Sequence, residues 1–194
     1  MIERVRKILT AEAEAISKLP LGNSVTGAIR LILNCKGKVF TTGIGKAGYV
    51  AKKAASTFST TGTPAVFLHP GDAPHGDVGV VTSGDVLLTF SNSGKTREVI
   101  ETVHFCRHLG VSGVISIACS GETPLGKESD YTLELGTIHE PCPLGLTPSA
   151  STAAMAALAD ALALVVMEER GFTKQDFAVR HHGGYLGKKS REEE

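Results

Sequence analysis

Five short runs rich in β-branched and apolar residues, separated by stretches of helical period, constrain this chain more than any other feature. The runs are 38–42 (KVFTT), 64–68 (PAVFL), 85–90 (DVLLTF), 112–118 (SGVISIA) and 130–135 (DYTLEL). They read as buried strands. Helical period occupies about 46–60, 95–109 and, more weakly, 123–129. This order predicts an α/β chain: a doubly wound, mostly parallel five-stranded sheet with helices on both faces. Two helical patterns, about 2–18 and 23–35, precede the first strand, and a long one, about 149–170, follows the last, with Gly171 as its expected C-cap. The reading is therefore N-terminal helices over 1–35, a core over 38–170, a C-terminal segment over 171–187 and a charged tail over 188–194. From Arg180 onward the chain is too polar and glycine-rich to join the core, and its last residues are expected to fray.

Composition removes several function classes. Twenty basic against twenty acidic residues give a net charge of zero, which argues against a main task of gripping nucleic acid. Aromatic residues are only 5% with no Trp, so an aromatic platform for sugars or bases is not expected. Cys35, Cys106, Cys119 and Cys142 form no CxxC pair and read as reduced thiols, placing the expected location in the cytoplasm. The N-terminus lacks the apolar core and cleavage site of a signal peptide. The longest near-apolar run, Ala153 to Met167, is interrupted by Asp160 and reads as too short and too polar to span a bilayer, so no membrane partner is expected. Glycine is the outlier, 22 in 194 residues where about 7% is usual, with no collagen period.

Ligands of open parallel sheets bind beyond the carboxyl ends of the strands, and two strand-to-helix loops there carry glycine. The first, Gly43-Ile44-Gly45-Lys46-Ala47-Gly48, fits the GxGxxG dinucleotide pattern. That fingerprint also needs an acid at the end of the next strand, where this chain has Phe67-Leu68-His69-Pro70. The better reading is a site where backbone N–H groups and Lys46 meet an anionic or oxygen-rich ligand. The second loop, Ser91-Asn92-Ser93-Gly94-Lys95-Thr96, offers hydroxyls and N–H groups at a helix N-terminus. It is not a Walker A loop, because Thr89 stands where the first glycine belongs. An ordinary capping cluster is the plain alternative. Two such loops on adjacent strands would face one crevice.

Other candidates have plain alternatives of their own. His104 and His108 are spaced for a metal, but they share a stripe with Arg97 and Glu101 that reads as a solvated or interface face. Asp160, in an apolar helix, reads as a partnered buried carboxylate or an interface residue. His75, in Ala73-Pro74-His75-Gly76-Asp77, is open between catalysis, metal ligation and a loop hydrogen bond. Glu140, in His139-Glu140-Pro141-Cys142-Pro143, is open between a surface glutamate and a functional one.

Together these stretches resemble the sugar isomerase (SIS) domain, and within it the D-arabinose 5-phosphate isomerase family. The resemblance is carried by TGIGKAGYVAKK (42–53), STTGTPAVFLHPGDAPHGDVG (59–79), SNSGKTREV (91–99), EPCPLGLTPSAST (140–152), ADAL (159–162) and RGFTKQDFAVRHHGGYLG (170–187), in one order over nearly the whole chain. The serine-rich loop is shared by many SIS proteins and says only phosphosugar; the other stretches are more specific. The resemblance implies a single SIS domain over 1–187 without the CBS domains that many members carry. It implies interconversion of D-ribulose 5-phosphate and D-arabinose 5-phosphate for 3-deoxy-D-manno-octulosonate (KDO) synthesis in lipopolysaccharide or capsule. It also implies a homotetramer with sites near subunit interfaces, with CMP-KDO a candidate feedback ligand.

The family's catalytic positions fall on Lys46, Glu98, Glu140 and His181. The last is placed by register from Asp176-Phe177-Ala178, with His182 beside it where many relatives have proline. Expected substrate and phosphate contacts are Gly45, Ser91, Asn92, Ser93, Thr96, His75, Thr147 and Ser149. No cofactor is implied and no metal required; His75 aligns with a histidine associated with inhibitory metal. An aldose–ketose isomerase moves a proton between C1 and C2 through a cis-enediol. Ser91, Ser93 and Thr96 would anchor phosphate, and Lys46 would meet oxyanion charge or phosphate. Glu140 or Glu98 would be the carbon base, with Glu140 preferred, and His181 would handle ring opening or oxygen protons. The competing readings are another SIS phosphosugar isomerase and a non-catalytic phosphosugar-binding regulator.

Overall fold

The expected strands form in order, and all pair in parallel. A computed structural model describes residues 1–189 and 191; of the expected charged tail 188–194, residues 190 and 192–194 lie outside the described residues. The strands are β1 (Val39–Gly43), β2 (Ala65–Phe67), β3 (Val86–Phe90), β4 (Gly113–Ala118) and β5 (Tyr131–Glu134), in the order β2-β1-β3-β4-β5. Every residue of β1, β3 and β4 is buried, which is why these runs read as continuous apolar stretches rather than alternating ones. The edge strands β2 and β5 are shorter and partly exposed.

Helices α1 (Ile2–Ser17), α2 (Asn23–Asn34), α3 (Gly45–Thr60) and α6 (Ala150–Glu169) cover one face of the sheet, and α4 (Arg97–His108) and α5 (Pro124–Lys127) the other. Strand alternation divides the core accordingly. Val86, Leu88, Phe90, Ile115 and Ile117 pack with Phe58, Met155 and Leu162 on the first face. Phe40, Leu87 and Val114 pack with Val99, Val103 and Leu125 on the second. Full burial of each such side chain contributes roughly 1.5–3 kcal/mol. The first crossover, β1–α3–β2, runs to one side of β1, and the chain then returns to lay β3 on the other. The switch point therefore lies between β1 and β3, where an open α/β sheet forms its ligand crevice.

Three sequence expectations change. The helix expected to be too short and polar for a bilayer is 20 residues long and passes that test by length and composition, with a mean hydropathy of 1.8. Its inner face, including Ala154, Leu158, Leu162 and Val166, is buried in the core, while Leu164 and Val165 on the other face are exposed. Asp160 is partnered as expected but only half-buried: it pairs with Lys53 and accepts the Thr57 hydroxyl at 3.3 Å. The sequence reading assigns no helix beyond 170, yet α7 (Lys174–Arg180) and α8 (Gly184–Lys189) are present. A capping box starts α7: the Thr173 hydroxyl accepts the Asp176 N–H, and the Asp176 carboxylate accepts the Thr173 N–H at 2.9 Å.

Candidate functional site

At the switch point the β1–α3 loop, the β3–α4 loop and the N-terminal turn of α6 enclose a cleft of about 350 Å³. Ile44, Lys46 and Ala47 come from the first loop, Phe90, Ser91, Asn92, Ser93 and Thr96 from the second, and Pro148, Ser151, Thr152 and Met155 from α6 and its approach. Among the described residues no carboxylate lines it. A larger cleft of about 440 Å³ lies between α1 and residues 135–139, but its charged pair, Glu14 and Lys18, is self-satisfied at 2.7 Å.

Two glycines let the loops close on the cleft. A Cβ at Gly48 would stand 2.6 Å from the Gly43 carbonyl oxygen, so only glycine lets α3 start this close to the end of β1. Gly94 has φ +60°, and a Cβ there would lie 2.2 Å from the Thr123 hydroxyl. Between them the β3–α4 loop makes a tight turn: Gly94 N–H donates to the Ser91 carbonyl at 3.0 Å, and the Ser91 and Thr96 hydroxyls lie 2.8 Å apart. Thr96 is the N-cap of α4 but gives it no side-chain cap bond. The Ser93 oxygen accepts the Lys95 N–H at 3.2 Å, which leaves its own proton uncommitted. The Asn92 Oδ1 is buried and without a hydrogen-bond partner among the described residues.

The opposite wall is organised by Glu140. Its Oε2 accepts the N–H of Ser149 at 2.8 Å and of Ala150 at 2.9 Å; its Oε1 accepts the Ser151 N–H at 3.3 Å and the Ser151 hydroxyl. Glu140 thus satisfies the first turn of α6 in place of a local cap. Burial pushes its carboxyl up, but the Ser151 hydroxyl and the three backbone N–H groups outweigh that and hold it below its usual value. The same loop also folds around Cys142, whose sulfur accepts the N–H groups of Leu146 and Thr147, each at 3.2 Å.

The cleft therefore brings together Lys46, Ser91, Asn92, Ser93 and Thr96 among the expected residues. Gly45 adjoins it but lines a separate cleft of about 230 Å³ with Tyr49, Lys52 and His69. Glu140 stands one hydrogen bond behind the wall. Thr147 and Ser149, expected as substrate contacts, turn their N–H groups inward to Cys142 and Glu140 and do not line the cleft. Glu98 is exposed on the first turn of α4, and His75 is exposed in a short 3₁₀ turn. Neither lines the cleft. His181, at the end of α7, stacks on Phe177 with ring centres 4.0 Å apart, its Nδ1 buried and without a partner among the described residues. It too is not among the residues lining the cleft of its own chain. Of the metal candidates, His104 sits 3.5 Å from Glu128. Sequence reasoning missed Ser151 and Thr152; the Ser-Ala-Ser-Thr run opening α6 was the available signal.

Comparison with known proteins places this geometry. Residues 32–165 match the SIS domain. The chain is 40% identical over 190 residues to the arabinose 5-phosphate isomerase KdsD of Pseudomonas aeruginosa, covering 97% of this chain and 58% of that protein. It thus spans little more than half the length of the curated relatives it matches. A Bacteroides fragilis protein assigned as a phosphosugar isomerase of capsule formation superposes with a TM-score of 0.92 at 42% identity, over 95% of this chain and 99% of that one. An Escherichia coli CFT073 protein solved in complex with arabinose 5-phosphate superposes with a TM-score of 0.89 at 35% identity, over 93% and 96% of the two chains. The fold order, the serine-rich loop at the switch point and these matches together establish that the chain belongs to the SIS domain family.

Proposed function

We propose that this chain is an aldose–ketose isomerase that interconverts D-ribulose 5-phosphate and D-arabinose 5-phosphate through a cis-enediol. The observation that carries the reading is the convergence of Lys46 with the Ser91–Thr96 loop in one cleft at the switch point. The named relatives, arabinose 5-phosphate isomerases and a protein holding arabinose 5-phosphate, supply the substrate.

The loop anchors phosphate with hydroxyls and with the N–H groups of the first turn of α4, where the helix dipole favours an anion. Lys46 is exposed at the cleft, and among the described residues no carboxylate pairs with it. Its ammonium serves the negative charge that grows on the enediolate oxygen. In the forward direction a base takes a proton from C1 of the ketose and the electron pair forms the C1–C2 double bond while the C2 carbonyl oxygen gains a proton, giving the enediol. The proton then returns to C2 as the C1 hydroxyl gives up its own and becomes the aldehyde. Among the described residues no carboxylate or imidazole lines the cleft, so the proton-transfer groups come from behind its wall or from another copy. Glu140 and Glu98 are the carboxylates for the carbon-bound proton. His181, outside its own chain's cleft, serves a neighbouring copy in a homotetramer. The four free cysteines fit a cytoplasmic enzyme, one supplying KDO for lipopolysaccharide or capsule.

The test is turnover of ribulose 5-phosphate against a panel of pentose, hexose and heptose phosphates, with solvent deuterium exchange at C1 and C2. Turnover of the pentose pair alone is expected. Tight binding without turnover would make the chain a phosphosugar-binding regulator instead. Among Glu140→Gln, Glu98→Gln and His181→Asn, the variant that loses carbon-bound exchange but still binds phosphosugar identifies the base.

A further inference from the structure

The two walls of the cleft differ in hydrogen-bond polarity, and the difference lies in where each wall's protons are already committed. On the β3–α4 side, the Ser93 proton is free, one proton of the Ser91–Thr96 pair is free, and α4 has no side-chain cap. Lys46 adds an ammonium. That wall donates. On the α6 side, the Ser151 hydroxyl donates to Glu140, and the Thr152 hydroxyl donates to the Ser149 carbonyl at 2.9 Å. The N–H groups of Ser149, Ala150 and Ser151 are spent on Glu140 as well. A hydroxyl that has given its single proton away keeps lone pairs only, so that wall accepts.

An anion cannot use an acceptor-only wall, and a sugar hydroxyl can. We propose that Thr152, with Ser151 behind it, is a specificity-determining surface that accepts hydrogen bonds from the hydroxyls at the sugar end of the ligand. Thr152 is the half-exposed member and makes the contact, its hydroxyl oriented by the Ser149 carbonyl; Ser151 is nearly fully buried and oriented by Glu140. The cleft then reads its ligand from both ends. Phosphate is fixed at the donor wall, and hydroxyls pointing the other way are required at the acceptor wall. This inference rests on the phosphosugar reading of the cleft but assigns a role to residues outside the phosphate anchor.

The test measures binding of inorganic phosphate and of arabinose 5-phosphate to the full chain and to Thr152→Val and Thr152→Ser, by calorimetry at fixed pH. Thr152→Val keeps the side chain's shape and removes its oxygen. It is expected to leave the phosphate dissociation constant within about twofold and to weaken arabinose 5-phosphate roughly five- to tenfold, the size of one neutral hydrogen bond. Thr152→Ser is expected to restore the sugar phosphate to within about twofold. Equal weakening of both ligands would make Thr152 a structural residue of the α6 turn, and no change in either would remove it from recognition; both results overturn the proposal. Wild-type protein that binds arabinose 5-phosphate no better than phosphate would overturn the phosphosugar reading together with it.

Discussion

Two helix N-termini border the same cleft, and the chain has treated them in opposite ways. At α4 the first turn is left without a side-chain cap and is surrounded by free hydroxyl protons. At α6 a carboxylate from nine residues upstream takes three backbone N–H groups and a hydroxyl. Both ends carry the same partial positive charge. Only one remains available to a ligand, because the other is already neutralised from within. An anion site in this fold is thus defined as much by the N–H groups the protein fills for itself as by those it leaves open.

The sharpest way to break the comparison is to empty the filled end. Glu140→Ala leaves three N–H groups and the Ser151 hydroxyl without their acceptor at a half-buried position. We expect a loss of about 3 kcal/mol in urea unfolding, measured at pH 7. A loss under about 0.5 kcal/mol would mean that water replaces the carboxylate without cost. At the open end the largest effect comes from the turn itself. Gly94→Ala forces a left-handed residue, about 1–2 kcal/mol, and drives a methyl into Thr123. The expected cost is about 2 kcal/mol together with loss of phosphosugar binding, because the Ser91–Thr96 contact cannot form across a displaced turn.

Acid titration sharpens the contrast further. The folded carboxyl of Glu140 lies below its usual value of 4.5. The stability it contributes is therefore fully present above about pH 4.5 and is lost as pH falls through the lower folded value. Glu140→Gln removes that dependence. The stability gap between wild type and variant should be flat from pH 7 to 5 and should narrow below 4.5. A gap that stays constant to pH 3 would show that the charge on Glu140 contributes nothing. Open-end substitutions such as Thr96→Val remove no carboxylate and should not alter the acid limb.

How much of this was legible in the sequence depends on the range of the interactions. Strand runs and loop glycines signal through neighbours in the chain, and the five strands and the Lys46 and Ser91–Thr96 loops sit where the pattern puts them. The Thr173–Asp176 capping box was equally local, and its spacing announces α7 to a reading that looks past the core. The α6 wall was not legible in the same way. The helix start at Ala150 is visible, but which hydroxyls face the cleft depends on Glu140 folding back across nine residues. That contact turns Ser149 away from the cleft, as Cys142 does Thr147, and Ser151 and Thr152 line it instead. His181 lies outside the cleft of its own chain, and nothing local in the sequence reports that placement.

The smallest effect tests the inward turn of the α6 loop at a residue that carries no catalytic role. Cys142 accepts the Thr147 and Leu146 N–H groups, and the Thr147 N–H, the largest contributor, helps bring the thiol down to about 7 despite some burial. These are the same kind of inward-turned donors that Glu140 gathers a few residues later. The Cys106 thiol is the counterexample, pushed up to about 11 by burial in the core. Iodoacetamide labelling of the native protein should modify Cys142 with a rate midpoint near pH 7 and leave Cys106 untouched until the protein unfolds. A midpoint near that of an ordinary thiol, about 8.5, would show that the loop's N–H groups point to solvent. That result would overturn the inward turn of this loop, which keeps the Thr147 N–H out of the cleft.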